Sequence, residues 1–256
     1  MKNYLSIGLL LFIFLLNSSI SNAQEGWTIL FNQNEFIAQD VPQGLIEKQK
    51  KLGLRSYTTV GAMGLAPDGG WVICYKNKVN NQTTPYLSWD GPHRDFMNIL
   101  KPINEQNVNI KQLVFSPLLT YDKQSWVILY DNNDADWKNL PHTLIQRIIQ
   151  LNKDNKTIKS IGLSINGGWV LIAENNEVHY EYIPQALVQA IESFKSQQKT
   201  LEHISFNLDN GWILVADEND ALWNKIPDTL IASIKNLQEK KVKIRSVHFY
   251  TIKGKL

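Results

Sequence analysis

The sequence is poor in the features that mark an enzyme, a metalloprotein or a disulfide-stabilised domain. It holds one cysteine, Cys74, so an internal disulfide is impossible. It has no His-x-x-x-His spacing, no paired-cysteine metal site, no phosphate-binding loop and no Gly-rich dinucleotide motif. These absences predict a protein without metal or cofactor, and they leave no residue to assign a catalytic role.

Neither sign of charge is in excess, and the only pronounced apolar run lies near the start. The formal net charge is +2, so nothing in the balance favours nucleic acid. The run at 9–16 is too short to span a bilayer as a mature helix, and it is followed by Ser21, Asn22 and Ala23. This pattern predicts a secretory signal at 1–23. We therefore expect an exported protein, periplasmic or extracellular, with no membrane insertion after cleavage and a single domain at 24–256.

Five copies of one pattern fill that domain. Each copy is anchored by a tryptophan in a short apolar run: Trp27, Trp71, Trp126, Trp169 and Trp212. In four copies a proline follows fifteen positions later, at Pro42, Pro141, Pro184 and Pro227, whereas in the second copy Pro92 follows after twenty-one. A fixed period of this length indicates a repeat architecture. The predicted modules lie near 26–69, 70–124, 125–167, 168–210 and 211–256.

Each module is predicted to contain three strands and then a helix. In the fourth module, 157–164 precedes an Asn-Gly-Gly turn, 169–173 is a continuous apolar strand, and 178–183 leads into Pro184. Proline is favoured at the start of a helix, and Leu187, Ile191 and Phe194 then recur with helical spacing. The fold class is therefore an α/β repeat protein.

The two ends of the chain carry complementary half-modules. The first module lacks its first strand, and the segment 242–250 resembles that missing strand. Pairing the two would complete a fifth unit and remove exposed sheet edges. We therefore expect a propeller-like toroid of five modules, with an open α/β solenoid as the alternative.

This layout is similar to that of the five-fold α/β propellers of the pentein type. The resemblance implies guanidino-modifying chemistry through a nucleophilic cysteine. Cys74, however, occupies a position that is aliphatic in every other module, at Leu30, Leu129, Ile172 and Val215. A buried structural thiol is the prediction for that register.

An aromatic residue recurs in the predicted third strand, four positions before the proline. It is Trp137, Tyr180 or Trp223 in three modules, Ala38 in the first, and Trp89 lies near it in the second. Exposed aromatic planes beside amides and charges are typical of carbohydrate sites. The alternative interpretation is that these rings pack on the following helix.

The second module breaks the symmetry with a longer segment, predicted to be a loop at 76–91, and the third has an insertion at 118–124. Function often lies where a repeat protein departs from its regular pattern. The long segment leads to Trp89, Asp90, His93 and Arg94, which we expect to form the asymmetric part of a ligand site.

The sequence therefore predicts an exported ligand-binding module of lectin-like type, whose partner is a glycan or a surface protein. The binding residues predicted are Trp89, Asp90, His93, Arg94, Trp137, Tyr180 and Trp223. A protein-interaction scaffold without a small ligand is the alternative. A hydrolase or a guanidino-modifying enzyme is a weaker one.

Overall fold

The computed structural model describes residues 25–67, 69–91, 94–106, 108–117, 124–131 and 134–251. The predicted signal segment lies outside these ranges. Within them the chain forms five antiparallel sheets of three strands each. The first sheet contains β1 (Glu25–Phe31), β2 (Glu35–Gln39) and β15 (Ile244–Thr251).

The other four sheets use consecutive strands. They are β3 (Thr58–Leu65), β4 (Trp71–Val79) and β5 (Gln82–Asp90); β6 (Ile110–Phe115), β7 (Trp126–Tyr130) and β8 (Ala135–Lys138); β9 (Ile158–Leu163), β10 (Trp169–Ala173) and β11 (Val178–Glu181); and β12 (Leu201–Phe206), β13 (Trp212–Ala216) and β14 (Asp220–Asn224). The helices are α1 (Gln43–Gly53), α2 (Arg94–Glu105), α3 (His142–Lys153), α4 (Gln185–Ser196) and α5 (Asp228–Glu239). The predicted order of three strands and a helix is confirmed.

The anchor tryptophans lie in the middle strand of every sheet, and all five are buried. The middle strands β7, β10 and β13 are buried along their whole length. A middle strand has neighbours on both edges and apolar cover on both faces, which explains why these runs are continuously apolar rather than alternating.

Four prolines lie directly before their helices, as the N-caps of α1, α3, α4 and α5. Their φ angles lie between −53° and −59°, which the pyrrolidine ring fixes without strain. The Pro42 carbonyl accepts hydrogen bonds from two residues of its helix, Leu45 and Ile46, and those of Pro184 and Pro227 also accept two each. The Pro141 carbonyl accepts one, from Ile145. The ring thus presets the backbone that leads into each helix.

Apolar side chains fill the space between neighbouring sheets in five clusters, which we call the wedges. Each helix supplies one wedge and packs between the sheet before it and the sheet after it. In one wedge, Leu144 and Ile148 of α3 join Val127 of β7 and Trp169 of β10. The wedge of α5 joins β13 to β1, so the last helix packs on the first sheet.

The predicted pairing of the two ends of the chain is confirmed. β15 pairs antiparallel with β1, placing Phe249 opposite Trp27 and Val247 opposite Ile29. The strand that opens each module, which we call its first strand, also lies beside the first strands of other modules. These neighbours are β3 with β6, β6 with β9, β9 with β12, β12 with β15, and β15 with β3.

Candidate functional site

The aromatic positions of the third strands share one register. Trp137, Tyr180 and Trp223 pair with Val127, Val170 and Ile213, each the residue directly after an anchor tryptophan. Trp89 pairs with Val72 and Ala38 with Thr28, so they occupy the same position in their own modules. Trp89, which the sequence placed only near the repeat position, is therefore its true counterpart.

These aromatic residues differ in how far they are covered. Trp137 and Trp223 are half-buried against the wedges of α3 and α5, the helices that follow them. Tyr180 and Trp89 are 39% and 44% exposed. The Lys101 ammonium of α2 lies 4.6 Å from the centre of the Trp89 ring. The structure brings the four residues to the third strands of four different sheets and does not gather them into one site.

The long segment of the second module is a hairpin rather than the expected loop. β4 and β5 each run for nine residues and turn at Asn80 and Asn81, both with positive φ. Asp90 ends β5 and Arg94 begins α2, and both side chains are exposed. His93 and most of the insertion at 118–124 lie outside the described residues.

A groove of about 640 Å³ separates α3 from the third strand β11. Its helix side is polar, because Thr143, Gln146, Arg147 and Gln150 follow a spacing that places them on one helix face. Its strand side carries His179, Tyr180 and Glu181.

Hydrogen bonds fix the strand side of the groove and leave part of the helix side open. His179 and Glu181 share the face of Leu171 and Trp169, with which they pair, and that face is packed on α3. Glu181 accepts hydrogen bonds from Thr143 Oγ1 and, at 3.3 Å, from Trp169 Nε1. Among the described residues, the Gln146 amide and the Arg147 guanidinium have no hydrogen-bond partner.

A second group of polar residues lies between the first strands. Each first strand has a β-bulge, and in four of them the residue after it is polar: Gln112, Ser160, His203 or Ser246, which we call the polar layer. The same position in β3 is Ala62. The Val247 N–H donates to His203 Nε2 at 3.2 Å, and His203 Nδ1 lies 3.4 Å from Ser160 Oγ. Gln112 Nε2 donates to Ser160 Oγ at 3.1 Å. The adjoining cavity, about 40 Å³, holds no more than a few waters.

The titratable groups in and beside the polar layer are shaped by burial. Burial lowers the pKa of His203 to about 4 and that of His248 to about 3. Burial raises the pKa of Glu25, at the end of the same cavity, to about 7. The neutral histidines therefore serve as hydrogen-bonding groups inside the fold at physiological pH.

Cys74 is buried, as its register predicts, and burial raises the pKa of its thiol well above the usual range. A nucleophilic cysteine requires the opposite shift. Within the described ranges no three histidine, cysteine or acidic side chains are grouped to hold a metal ion.

Sequence reasoning missed the groove residues Gln146 and Arg147. Their signal was the polar i, i+3, i+4, i+7 pattern on α3, which was obscured because it continues the solvated face of an amphipathic helix. Only the position of β11 opposite that face makes it a groove.

Comparison of the chain with protein-family models, curated proteins and solved structures found no match. In the part of the chain that the structure describes, every helix is too short or too polar to cross a lipid bilayer. Function must therefore be inferred from the surfaces themselves.

Proposed function

We propose that the protein is an exported, non-catalytic binding module that recognises carbohydrate in the groove between α3 and β11. The observation that carries this proposal is the open pair of Gln146 and Arg147 facing a strand whose polar groups are already fixed. A ligand satisfies the two open side chains without disturbing the fold.

The chemistry of the groove suits a sugar. Amide and guanidinium groups present adjacent donors, and the amide also accepts, so they match neighbouring hydroxyl groups on a ring. Tyr180 borders the groove from the same edge strand and is 39% exposed. Concave sites of several hundred Å³ with few, well-placed polar groups are typical of small-ligand binding.

We also propose that the five modules close into a propeller-like ring. Support comes from the pairing of β15 with β1, from the wedge of α5 against β1, and from the neighbouring first strands β15 and β3. A closed arrangement leaves no exposed end module and holds the groove on a rigid support.

The test is a thermal-shift screen of residues 24–256 against a glycan panel, followed by titration of the hits. A ligand that binds the folded state at 100 times its Kd adds about 2.7 kcal/mol to the free energy of unfolding. The variant Gln146→Ala/Arg147→Ala is expected to weaken binding by roughly tenfold or more, because it removes two hydrogen-bonding groups worth about 0.5–3 kcal/mol each.

The chain offers a matched control on the next helix. Gln189 stands five positions after Pro184, as Gln146 stands five positions after Pro141, and it is also exposed. Gln189→Ala should leave glycan affinity unchanged. Equal loss of affinity in both variants, or no hit in the panel, would contradict the carbohydrate proposal.

A protein-interaction scaffold is the second candidate, and one surface favours it. A groove of about 620 Å³ between β2 and α1 is lined by Phe36, Ile37 and Leu54, and Leu54 is 87% exposed. Exposed apolar grooves of this kind mark protein-binding surfaces. Leu54→Lys should abolish capture of a protein partner and leave glycan binding intact.

A further inference from the structure

A basic cavity lies at the base of the long β4–β5 hairpin, separate from the carbohydrate groove. It has a volume of about 270 Å³ and shares no lining residue with that groove. Its charged side chains are Lys76, Lys111, Arg245 and Asp131, so positive charge is in excess.

The β-bulges bring these cations together. The residue displaced by the bulge in each first strand is Gly61, Lys111, Lys159, Glu202 or Arg245. Lys159 and Glu202 form an ion pair at 3.0 Å and neutralise each other. Lys111 and Arg245 flank Gly61, which has no side chain, and the space between them is part of the cavity.

Lys111 has no partner of its own among the described residues. Its ammonium makes neither a hydrogen bond nor an ion pair there, although it is half-buried. Burial lowers its pKa, an effect that the charge of Asp131 opposes. A partly desolvated cation without a direct ion-pair partner is unfavourable, and an anion in the cavity relieves that cost.

Arg245 is held in place by backbone carbonyls rather than by a carboxylate. It donates to Gln33 O at 3.0 Å, to Val60 O at 2.7 Å and to Gly61 O at 3.2 Å. These bonds use three of the five N–H donors of a guanidinium group and do not neutralise its charge. Arg245 is therefore a fixed, unneutralised cation at the cavity wall.

The remaining wall is mixed. Val60, Val108, Pro85 and Tyr75 form an apolar patch, and Thr59, Asn104 and Asn109 are polar. The Tyr75 ring is stacked on Tyr86, with the ring centres 5.4 Å apart. The Lys76 ammonium is already engaged, because its Nζ donates to Asn109 Oδ1. The cavity thus combines an apolar patch with a positive end formed by Lys111 and Arg245.

We propose that this cavity binds a small organic anion whose carboxylate or phosphate group pairs with Lys111 and Arg245 and whose apolar part lies against Pro85 and Val108. Arginine recognises both kinds of oxyanion through paired hydrogen bonds, so the two chemistries are separated by experiment.

The experiment is ligand-observed NMR followed by titration calorimetry with benzoate, phenyl phosphate and the neutral analogue benzamide. We expect benzoate or phenyl phosphate to bind and benzamide to bind at least tenfold more weakly, because only the anions complete the charge pairing. Tighter binding of benzoate identifies a carboxylate site, and tighter binding of phenyl phosphate identifies a phosphate site.

The decisive variant is Lys111→Met, which keeps most of the length of the side chain and removes a charge that has no direct ion-pair partner. It should fold at least as well as the parent protein and lose anion binding at least tenfold. The matched control is Lys195→Met, a surface lysine on α4. Arg245→Lys keeps the charge without the fork and should weaken binding less than Lys111→Met.

Equal affinity for benzamide and benzoate, unchanged affinity in Lys111→Met, or failure of all three probes at millimolar concentration would overturn the proposal. None of these results bears on the carbohydrate groove, whose own test uses Gln146 and Arg147.

Discussion

The wedges between the sheets and the polar layer between the first strands are built from opposite kinds of side chain. The wedges are apolar, and each repeats the same plan of helix, anchor tryptophan and two sheets. The polar layer varies between modules, with Gln112, His203 and two serines, Ser160 and Ser246. The comparison indicates that the wedges carry stability common to all modules, whereas the polar layer fixes how particular modules meet.

The largest expected loss of stability comes from a substitution inside a wedge. Trp212→Ala removes a buried indole and should lower the free energy of unfolding by about 3–5 kcal/mol. Urea denaturation of the purified variant measures this change. Trp212→Phe should cost less, because it keeps a ring and Trp212 Nε1 has no hydrogen-bond partner among the described residues. Similar losses in both variants would show that the indole volume is not what stabilises the wedge.

The next effect tests the polar layer through pH. Unfolded histidine titrates near 6.5, whereas the folded-state pKa values of His203 and His248 are about 4 and about 3. The unfolded state therefore binds more protons below pH 6.5, and stability falls as the pH drops through this window towards 4. Each histidine contributes a slope of at most about 1.4 kcal/mol per pH unit.

Glu25 changes the free energy of unfolding with pH in the opposite direction to the histidines, so its contribution must be removed by substitution before the histidines are tested. Its raised pKa, about 7, contributes stability that is present below pH 4.5 and lost as the pH rises through 7. Urea denaturation at several pH values is therefore made on Glu25→Gln, with and without His203→Gln/His248→Gln. The additional double substitution should flatten the dependence between pH 6.5 and 4. If the free energy of unfolding had the same slope against pH in both proteins, the pH dependence could not be assigned to His203 and His248.

The smallest expected loss of stability comes from a substitution at one residue of the polar layer, Gln112. Gln112→Met keeps the length of the side chain but removes hydrogen bonds to Ser160 Oγ and to the backbone N–H and C=O of Ile161. Leaving buried polar groups unpaired costs about 1–3 kcal/mol. Thermal unfolding should show this loss, and a variant as stable as the parent would indicate that water replaces the amide.

The parts of the fold that repeat were predictable from the sequence. The anchor tryptophans and their prolines mark the middle strands and the helices, because each module packs its tryptophan and its helix in the same way. The complementary ends predicted the pairing of β15 with β1. The prediction of a loop at 76–91 was wrong, since β5 is polar and partly exposed and lacks the apolar run that marks the other strands.

The candidate sites were harder to predict because their residues belong to different modules. Lys111 and Arg245 are far apart in sequence and converge only through the bulges of β6 and β15. A bulge depends on how two strands pair, which no local pattern records. The groove residues Gln146 and Arg147 became visible only when β11 was placed opposite α3.

The pairing of β15 with β1 also sets an order of assembly during synthesis. β1 is made before every other strand described here, and its partner β15 is made after all of them. Until then Trp27 and Ile29 lack the residues of β15 that lie opposite them and the wedge of α5 that covers them. The first sheet is therefore completed last, and a growing chain carries an uncovered apolar strand until β15 has been made.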